Sequence, residues 1–213
     1  MSLSTLSKFV KLEVLLLLVG ALSSVSCSRV MAPDTEIVAM QSGQYKLDKD
    51  HASLVFKINH LGFSSYVGRF NALDASLDFD PEKIESSRLN VIVDMKSIDV
   101  NNPKFADDLR GSDWLDVKKF PQAVFKTTRF VESKEKNSYR FEGELTFHGV
   151  TAPVMLDVKF NGGGRNFLTR KFTLGFSAST NFKRSAFGAD NMVSFGVGDD
   201  IELEIHAEFQ KAS

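Results

Sequence analysis

The residues of this chain that could do chemistry are thinly spread, and their spacing points to binding rather than catalysis. The four histidines, His51, His60, His148 and His206, form no H-E-x-x-H or comparable close-ligand spacing, and there is no cysteine pair, so no metal ligand is expected. The single cysteine, Cys27, is not part of a C-x-x-C-H haem attachment motif. Gly62-Phe63-Ser64-Ser65 lacks the second glycine of a G-x-S-x-G nucleophile elbow. Gly162-Gly163-Gly164-Arg165 has no Lys-Ser/Thr partner for a phosphate loop and is expected to be a hairpin turn. Asp107-Asp108 and Asp199-Asp200 read as solvated loop ends. His206 is expected to face solvent, and His51 and His60 to flank a strand and anchor turns by hydrogen bonding. No catalytic residue and no cofactor follow from these residues.

What must position any site is a run of extended segments. Phe141, Gly143, Leu145 and Phe147 alternate with Glu142, Glu144, Thr146 and His148, and after a turn at Gly149 the alternation resumes with Val154, Leu156, Val158 and Phe160. The same two-residue period places Leu54, Phe56 and Ile58 on one face, as it does Leu73, Ala75, Leu77 and Phe79, and Leu89, Val91, Val93 and Met95. It recurs in Phe172, Leu174, Phe176, Ala178, Thr180 and Phe182, and in Ile201, Leu203, Ile205, Ala207 and Phe209. With a further strand over 123–131, about eight antiparallel strands separated by turn signals predict an all-β barrel or sandwich. Asp80-Pro81 and Asn161-Gly162-Gly163-Gly164 are the expected breaks.

One interruption reads as helical. Asn102 can cap, Pro103 suits the first helical position, and Phe105 and Leu109 share a face before Gly111. A second short helical stretch is expected over 113–117, giving a short helical insertion near 103–118 that could plug or lid one barrel mouth.

At the N-terminus, Lys8 and Lys11 precede the apolar run Val14–Leu22, which is too short to span a membrane, so 1–26 is expected to be a signal peptide. Cys27 follows directly. A lone cysteine in that place resembles a bacterial lipoprotein, whose cysteine is acylated, although Ser24 stands where an aliphatic residue is usual. Ser28 in place of Asp fits outer-membrane sorting, so the expected location is periplasmic and membrane-anchored. Residues 27–43 lack periodicity and are expected to be a tether that, as a flexible coil, reaches about 20–25 Å. The remainder, 44–211, suffices for one domain with a core. A net charge of −1 offers no basic surplus for nucleic acid. Homodimer formation stays open.

Nineteen phenylalanines accompany three tyrosines and one tryptophan, so the aromatic surface lacks polar handles. A barrel of about eight strands is just wide enough to be filled by side chains or to hold one small ligand. Composition alone favours mutual packing, and a cavity for a long hydrocarbon is the alternative.

Several ordered fragments bear on that choice. They include Tyr45-x-Leu47-Asp48-x-x-His51, His60-Leu61-Gly62, Gly68-x-Phe70, Ser97-Ile98-Asp99 and Trp114-Leu115-Asp116-Val117 with Phe120-Pro121. The longest is Gly143-Glu144-Leu145-Thr146-Phe147-His148-Gly149-Val150-Thr151-x-Pro153-Val154, followed by Arg184-Ser185-x-Phe187-Gly188 and Val197-Gly198-Asp199. In order and spacing these resemble the YceI-like family across about 44–210. The resemblance implies an eight-stranded, lipocalin-like antiparallel barrel that binds a polyisoprenoid lipid, such as a quinone or prenyl phosphate, outside the cytoplasm. Together with the alternation it makes Phe56, Leu73, Leu77, Val91, Val93, Phe147, Leu156, Phe176 and Leu203 the expected ligand-binding set. Arg69, Arg110 and Arg184, near strand ends or loops, are candidates for a phosphate head group, because guanidinium forks match phosphate oxygens. Non-enzymatic transport or storage is the expected function. An enzyme acting on a prenyl lipid and a structural lipoprotein with a filled barrel are the alternatives.

Overall fold

The structure, a computed structural model, describes residues 32–212. The signal peptide, Cys27 and the start of the expected tether lie outside the described residues. Ten strands form one antiparallel sheet: β1 (Gly43–His60), β2 (Ser64–Phe70), β3 (Leu73–Phe79), β4 (Arg88–Asp94), β5 (Ile98–Asp99), β6 (Gln122–Glu135), β7 (Ser138–Phe147), β8 (Val150–Arg165), β9 (Phe172–Lys183) and β10 (Val197–Lys211). Their order is β10-β9-β8-β7-β6-β4-β3-β1, and β1 also pairs with β10, which closes an eight-stranded barrel. β2 and β5 continue from the upper half of β1 as a short extension.

The length of β1 explains this arrangement. Its first residues pair with β3, from Gly43↔Phe79 to Lys46↔Ser76, and its last with β2, from Leu54↔Phe70 to His60↔Ser64. A bulge between Leu47 and Ala52, opposite β10, separates the halves and re-aims the strand. His51 and His60 therefore sit within one strand and not on either side of it. Tyr45, fully buried, anchors the first half, and its hydroxyl donates to the Gln41 carbonyl at 2.6 Å. Burial pushes its phenol up to about 12.

α1 (Pro103–Arg110) follows β5, with Asn102 accepting from Phe105 N and Pro103 in the first turn. The helix stops there. Asp116 adopts φ 41°, a left-handed conformation that cannot propagate a helix, so 113–117 forms hydrogen-bonded turns instead, with Trp114 N and Asp116 N both donating to Gly111 O.

Two further segments differ from the sequence reading. The glycine run 161–164 is not the hairpin turn. It lies inside β8, with a bulge between Phe160 and Gly162, and the turn falls at 166–171. The glycines make room, because a Cβ on Gly163 would collide with Met40 Sδ and Leu174 Cδ2. The chain they accommodate is part of the expected tether. Asp34 exchanges both backbone hydrogen bonds with Gly163 (2.9 and 2.8 Å), Ile37–Ala39 forms a 3-10 turn, and Met40 is buried in the core. Residues 34–43 are thus packed against the barrel.

Candidate functional site

The inward faces of the eight strands enclose a cavity of about 310 Å³. All nine apolar residues expected to form the binding set, Phe56, Leu73, Leu77, Val91, Val93, Phe147, Leu156, Phe176 and Leu203, line it. Their common placement follows from the period-two pattern, since each strand of a closed barrel has one interior face. Ile37 and Ile84 line it at one end, where β3 and β10 finish. Trp114 and Leu115, from the turns after α1, line it at the other.

The barrel stays hollow despite its phenylalanines because two inward positions carry no side chain. A Cβ on Gly143 would collide with the ring of Phe125, and one on Gly68 with the ring of Phe56. The tip of each ring occupies the space that a side chain at the glycine would fill. Other rings pack edge to face in the wall, as Phe182 does on Phe187 at 5.3 Å and 76°.

The polar side chains on this lining are Ser87, Thr127, Tyr139, Thr180, Arg184 and Asn191, and three of them are engaged. Ser87 Oγ accepts from Asp80 N, and Thr127 Oγ1 accepts from Leu89 N. Arg184 lines the cavity but is buried at 6% exposure, and its guanidinium faces backbone. Nε donates to Gly198 O (2.8 Å), Nη1 to Ala189 O (2.6 Å) and Nη2 to Val197 O (3.3 Å). Burial pushes the guanidinium below its usual value, while Asp199 and Asp190 oppose that shift. Asp199 is fixed in turn by Ser185 N and Oγ at 2.9 and 2.8 Å. Thr180 differs from these: the residue lines the cavity, and its Oγ1 is buried with no hydrogen-bond partner.

Arg69 and Arg110 lie away from the cavity. Arg69 is exposed on β2 beside Asp99 at 3.5 Å. Arg110 ties α1 to the sheet, donating to Lys96 O and Ile98 O at 2.7 Å each and to Asp107. Of the three arginines, the structure brings one to the cavity, and that one already holds three carbonyls.

The histidines occupy four unrelated settings. His148 turns the β7–β8 hairpin at φ 50°, packed 4.6 Å from the Phe120 ring, and its Nε2 is buried without a partner. His60 packs on Tyr66 at 6.2 Å. His206 is exposed on β10, its Nδ1 3.2 Å from Ser177 Oγ and its Nε2 3.1 Å from Glu204 Oε1. That Ser-His-Glu sequence is a pair of cross-strand neighbours on the outer wall, since Ser177 and His206 are register partners. Glu204 also binds Lys57, and Ser177 Oγ already accepts from Asn161 Nδ2 at 2.8 Å. With no cleft and with the sheet's N–H groups spent in the ladder, nothing there could hold an acyl group or an oxyanion.

Among the described residues, one group has metal-ligand proximity: Asp48, His51 and Glu208, whose ligand atoms lie within 4.8 Å of one another at the β1 bulge. Its lone pairs are largely used. His51 Nδ1 meets Asp48 Oδ2 at 3.0 Å, and Gln210 Nε2 donates to the same oxygen. The arrangement braces the bulge.

Thr180 and Ile37 were not singled out from the sequence. Thr180 does occupy an inward slot in the β9 alternation, so its period was the available signal. Ile37 had none, because its position depends on a contact made by distant glycines.

The fold recurs in known proteins. A model of the YceI-like domain matches residues 45–209. A UPF0312 protein of Vibrio cholerae is 34% identical over 172 residues, which span 80% of this chain and 88% of the relative. The crystal structure of the Campylobacter jejuni YceI protein superposes with a TM-score of 0.64 at 29% identity, covering 74% of this chain and 91% of that one. A polyisoprenoid binding domain from Saccharophagus degradans, implicated in plant cell wall breakdown, superposes with a TM-score of 0.59 over 81% of this chain and all of its own, and at 10% identity that likeness is one of fold. A domain model matched from β1 to β10, together with a relative one third identical over most of its length, establishes that the chain belongs to the YceI-like family.

Proposed function

We propose that the barrel binds a polyisoprenoid or similar amphipathic lipid without chemical turnover, and transports or stores it outside the cytoplasm. The observation that carries this reading is a continuous apolar cavity whose one unpartnered buried polar atom, among the described residues lining it, is the Thr180 hydroxyl. Each methylene buried there contributes about 0.8 kcal/mol, so a prenyl chain needs no charge pairing for tight binding. The Saccharophagus domain of the same fold, described as polyisoprenoid binding, supports the ligand class. An acylated Cys27 would hold the barrel beside the membrane from which such a lipid is drawn, with the outer membrane the favoured site.

The lining also bears on the head group. With Arg184 committed to three carbonyls, a phosphate finds no free guanidinium fork, and Thr180 suits a neutral group that accepts one hydrogen bond, such as a quinone carbonyl. Native mass spectrometry of the protein purified from a prenyl-lipid-producing host, followed by titration with prenyl quinone and prenyl pyrophosphate, tests both parts. The expected result is co-purified lipid, a quinone bound at least as tightly as the pyrophosphate, and a quinone affinity about two- to tenfold weaker in Thr180→Val. A protein that carries no lipid and binds neither probe overturns the function. Turnover of the lipid would make the protein an enzyme, and a tighter pyrophosphate would reinstate the arginine as a clamp.

A further inference from the structure

The β8–β9 turn has a composition that the cavity does not use. Within Arg165-Asn166-Phe167-Leu168-Thr169-Arg170-Lys171, Phe167 is 58% and Leu168 76% exposed. The turn is built to hold them outward. Asn166 Oδ1 accepts from Leu168 N and Thr169 N (2.9 and 3.1 Å), Arg170 N returns to Asn166 O at 2.8 Å, and Arg165 Nη1 donates to Arg170 O at 2.7 Å. Arg165, Arg170 and Lys171 are all exposed, and among the described residues none of the three lies within ion-pair distance of a carboxylate. Lys171 Nζ instead meets the neutral Gln210 Oε1 at 2.7 Å.

We propose that the β8–β9 turn docks on an anionic lipid bilayer, with Phe167 and Leu168 entering the interface and Arg165, Arg170 and Lys171 facing the head groups. Two apolar side chains framed by three uncompensated cations match the chemistry of that boundary, where each basic group near the surface contributes about 1 kcal/mol. The opposite end has exposed apolar residues too, Leu61, Phe63, Met192 and Phe195. Beside them, however, stand Asp190, Asp199 and Asp200, and the nearby Lys183 is already paired with Asp200 at 3.2 Å. The end that carries the β8–β9 turn has carboxylates of its own, Asp80, Glu82 and Glu85 beside the Ile84–Ser86 turn, so what distinguishes the β8–β9 turn, among the described residues, is the three free cations flanking its apolar pair.

The test is tryptophan fluorescence of the purified exported protein carrying Phe167→Trp in a Trp114→Phe background, mixed with vesicles containing brominated acyl chains. Vesicles of phosphatidylglycerol and phosphatidylcholine should quench and blue-shift the emission. Phosphatidylcholine alone, or about 1 M salt, where the Debye length falls to about 3 Å, should largely abolish the effect. Phe63→Trp in the same background should stay unquenched. In the unaltered-tryptophan protein, Arg170→Gln and Lys171→Gln should each weaken vesicle co-sedimentation about fivefold at an unchanged Tm. An unquenched Phe167→Trp, equal or stronger quenching of Phe63→Trp, or co-sedimentation indifferent to both charge substitutions overturns the proposal. No cavity ligand enters these measurements, so their failure is distinct from failure of the proposed function.

Discussion

The two ends of the barrel are closed by different means. At the end reached by β9 and entered by β10, closure is polar and heavily cross-linked: Arg184 holds three carbonyls of the 189–198 segment, Asp199 is fixed by Ser185, and Arg110 ties α1 to Lys96 and Ile98. At the other end, two single 3-10 turns, Ile37–Ala39 and Ile84–Ser86, contribute Ile37 and Ile84 to the lining, and the first of them rests on a strand of glycines. Buried charge hydrogen-bonded to backbone fixes geometry, whereas the apolar turn over Gly163 is held by two backbone bonds and the packing of Met40. On the proposed function, one end would orient a head group beside Thr180 and the other would be the one to open.

The sharpest way to break this contrast is Arg184→Leu. Removing the guanidinium leaves buried carbonyls of Gly198 and Ala189 unpaired, for an expected loss of about 3–5 kcal/mol and a Tm lower by about 10 °C in calorimetry. A Tm within about 2 °C of wild type would show that this end is not held as described. Smaller in effect is Gly163→Ala, which thrusts a methyl group against Met40 and Leu174. It should cost about 1–3 kcal/mol and raise the release rate of a fluorescent prenyl probe, while Ala at an exposed Val38 should change neither. Unaltered release would mean that the 34–40 segment does not gate that end. The slightest effect should come from the bulge. Hydrogen bonding to Asp48 raises the His51 imidazole above its usual value, so its contribution is complete below about pH 6.5 and fades as pH rises through the folded-state value. Burial alone would raise the Asp48 carboxyl, but His51, Asp50 N–H and Gln210 outweigh it and hold the group lower, so its contribution is present above about pH 4 and is lost on acidification. A Tm profile should show a shallow extra stability between those limits that His51→Gln removes.

The period-two alternation together with the family resemblance placed nine cavity residues, because in a closed barrel one face of each strand has nowhere to go but inward. Cap and stop residues located α1, through Asn102, Pro103 and Gly111. Features set by contacts between distant segments were not legible. The glycine run resembled a turn because its true partner, Met40, lies more than a hundred residues earlier in the chain. Residues 34–43 resembled a tether because one 3-10 turn shows no periodicity. The three arginines looked equivalent until the carbonyls around Arg184 were in place. His148, assigned by alternation to a polar face, instead turns the hairpin in a left-handed conformation against Phe120, a contact that no spacing rule encodes.

The pairing of β1 with β10 has a kinetic side. Tyr45 meets Lys211 and Ile58 meets Ile201, so the seam that seals the ring joins the first strand to the last. Such contacts carry a high loop-closure cost and form late. Without the fifteen residues of β10, β1 and β9 would be unprotected edges, each able to pair with another chain. A prenyl chain present at that moment would meet an exposed apolar face instead of a sealed vessel, and closure around it would hide both edges and the lipid in a single step.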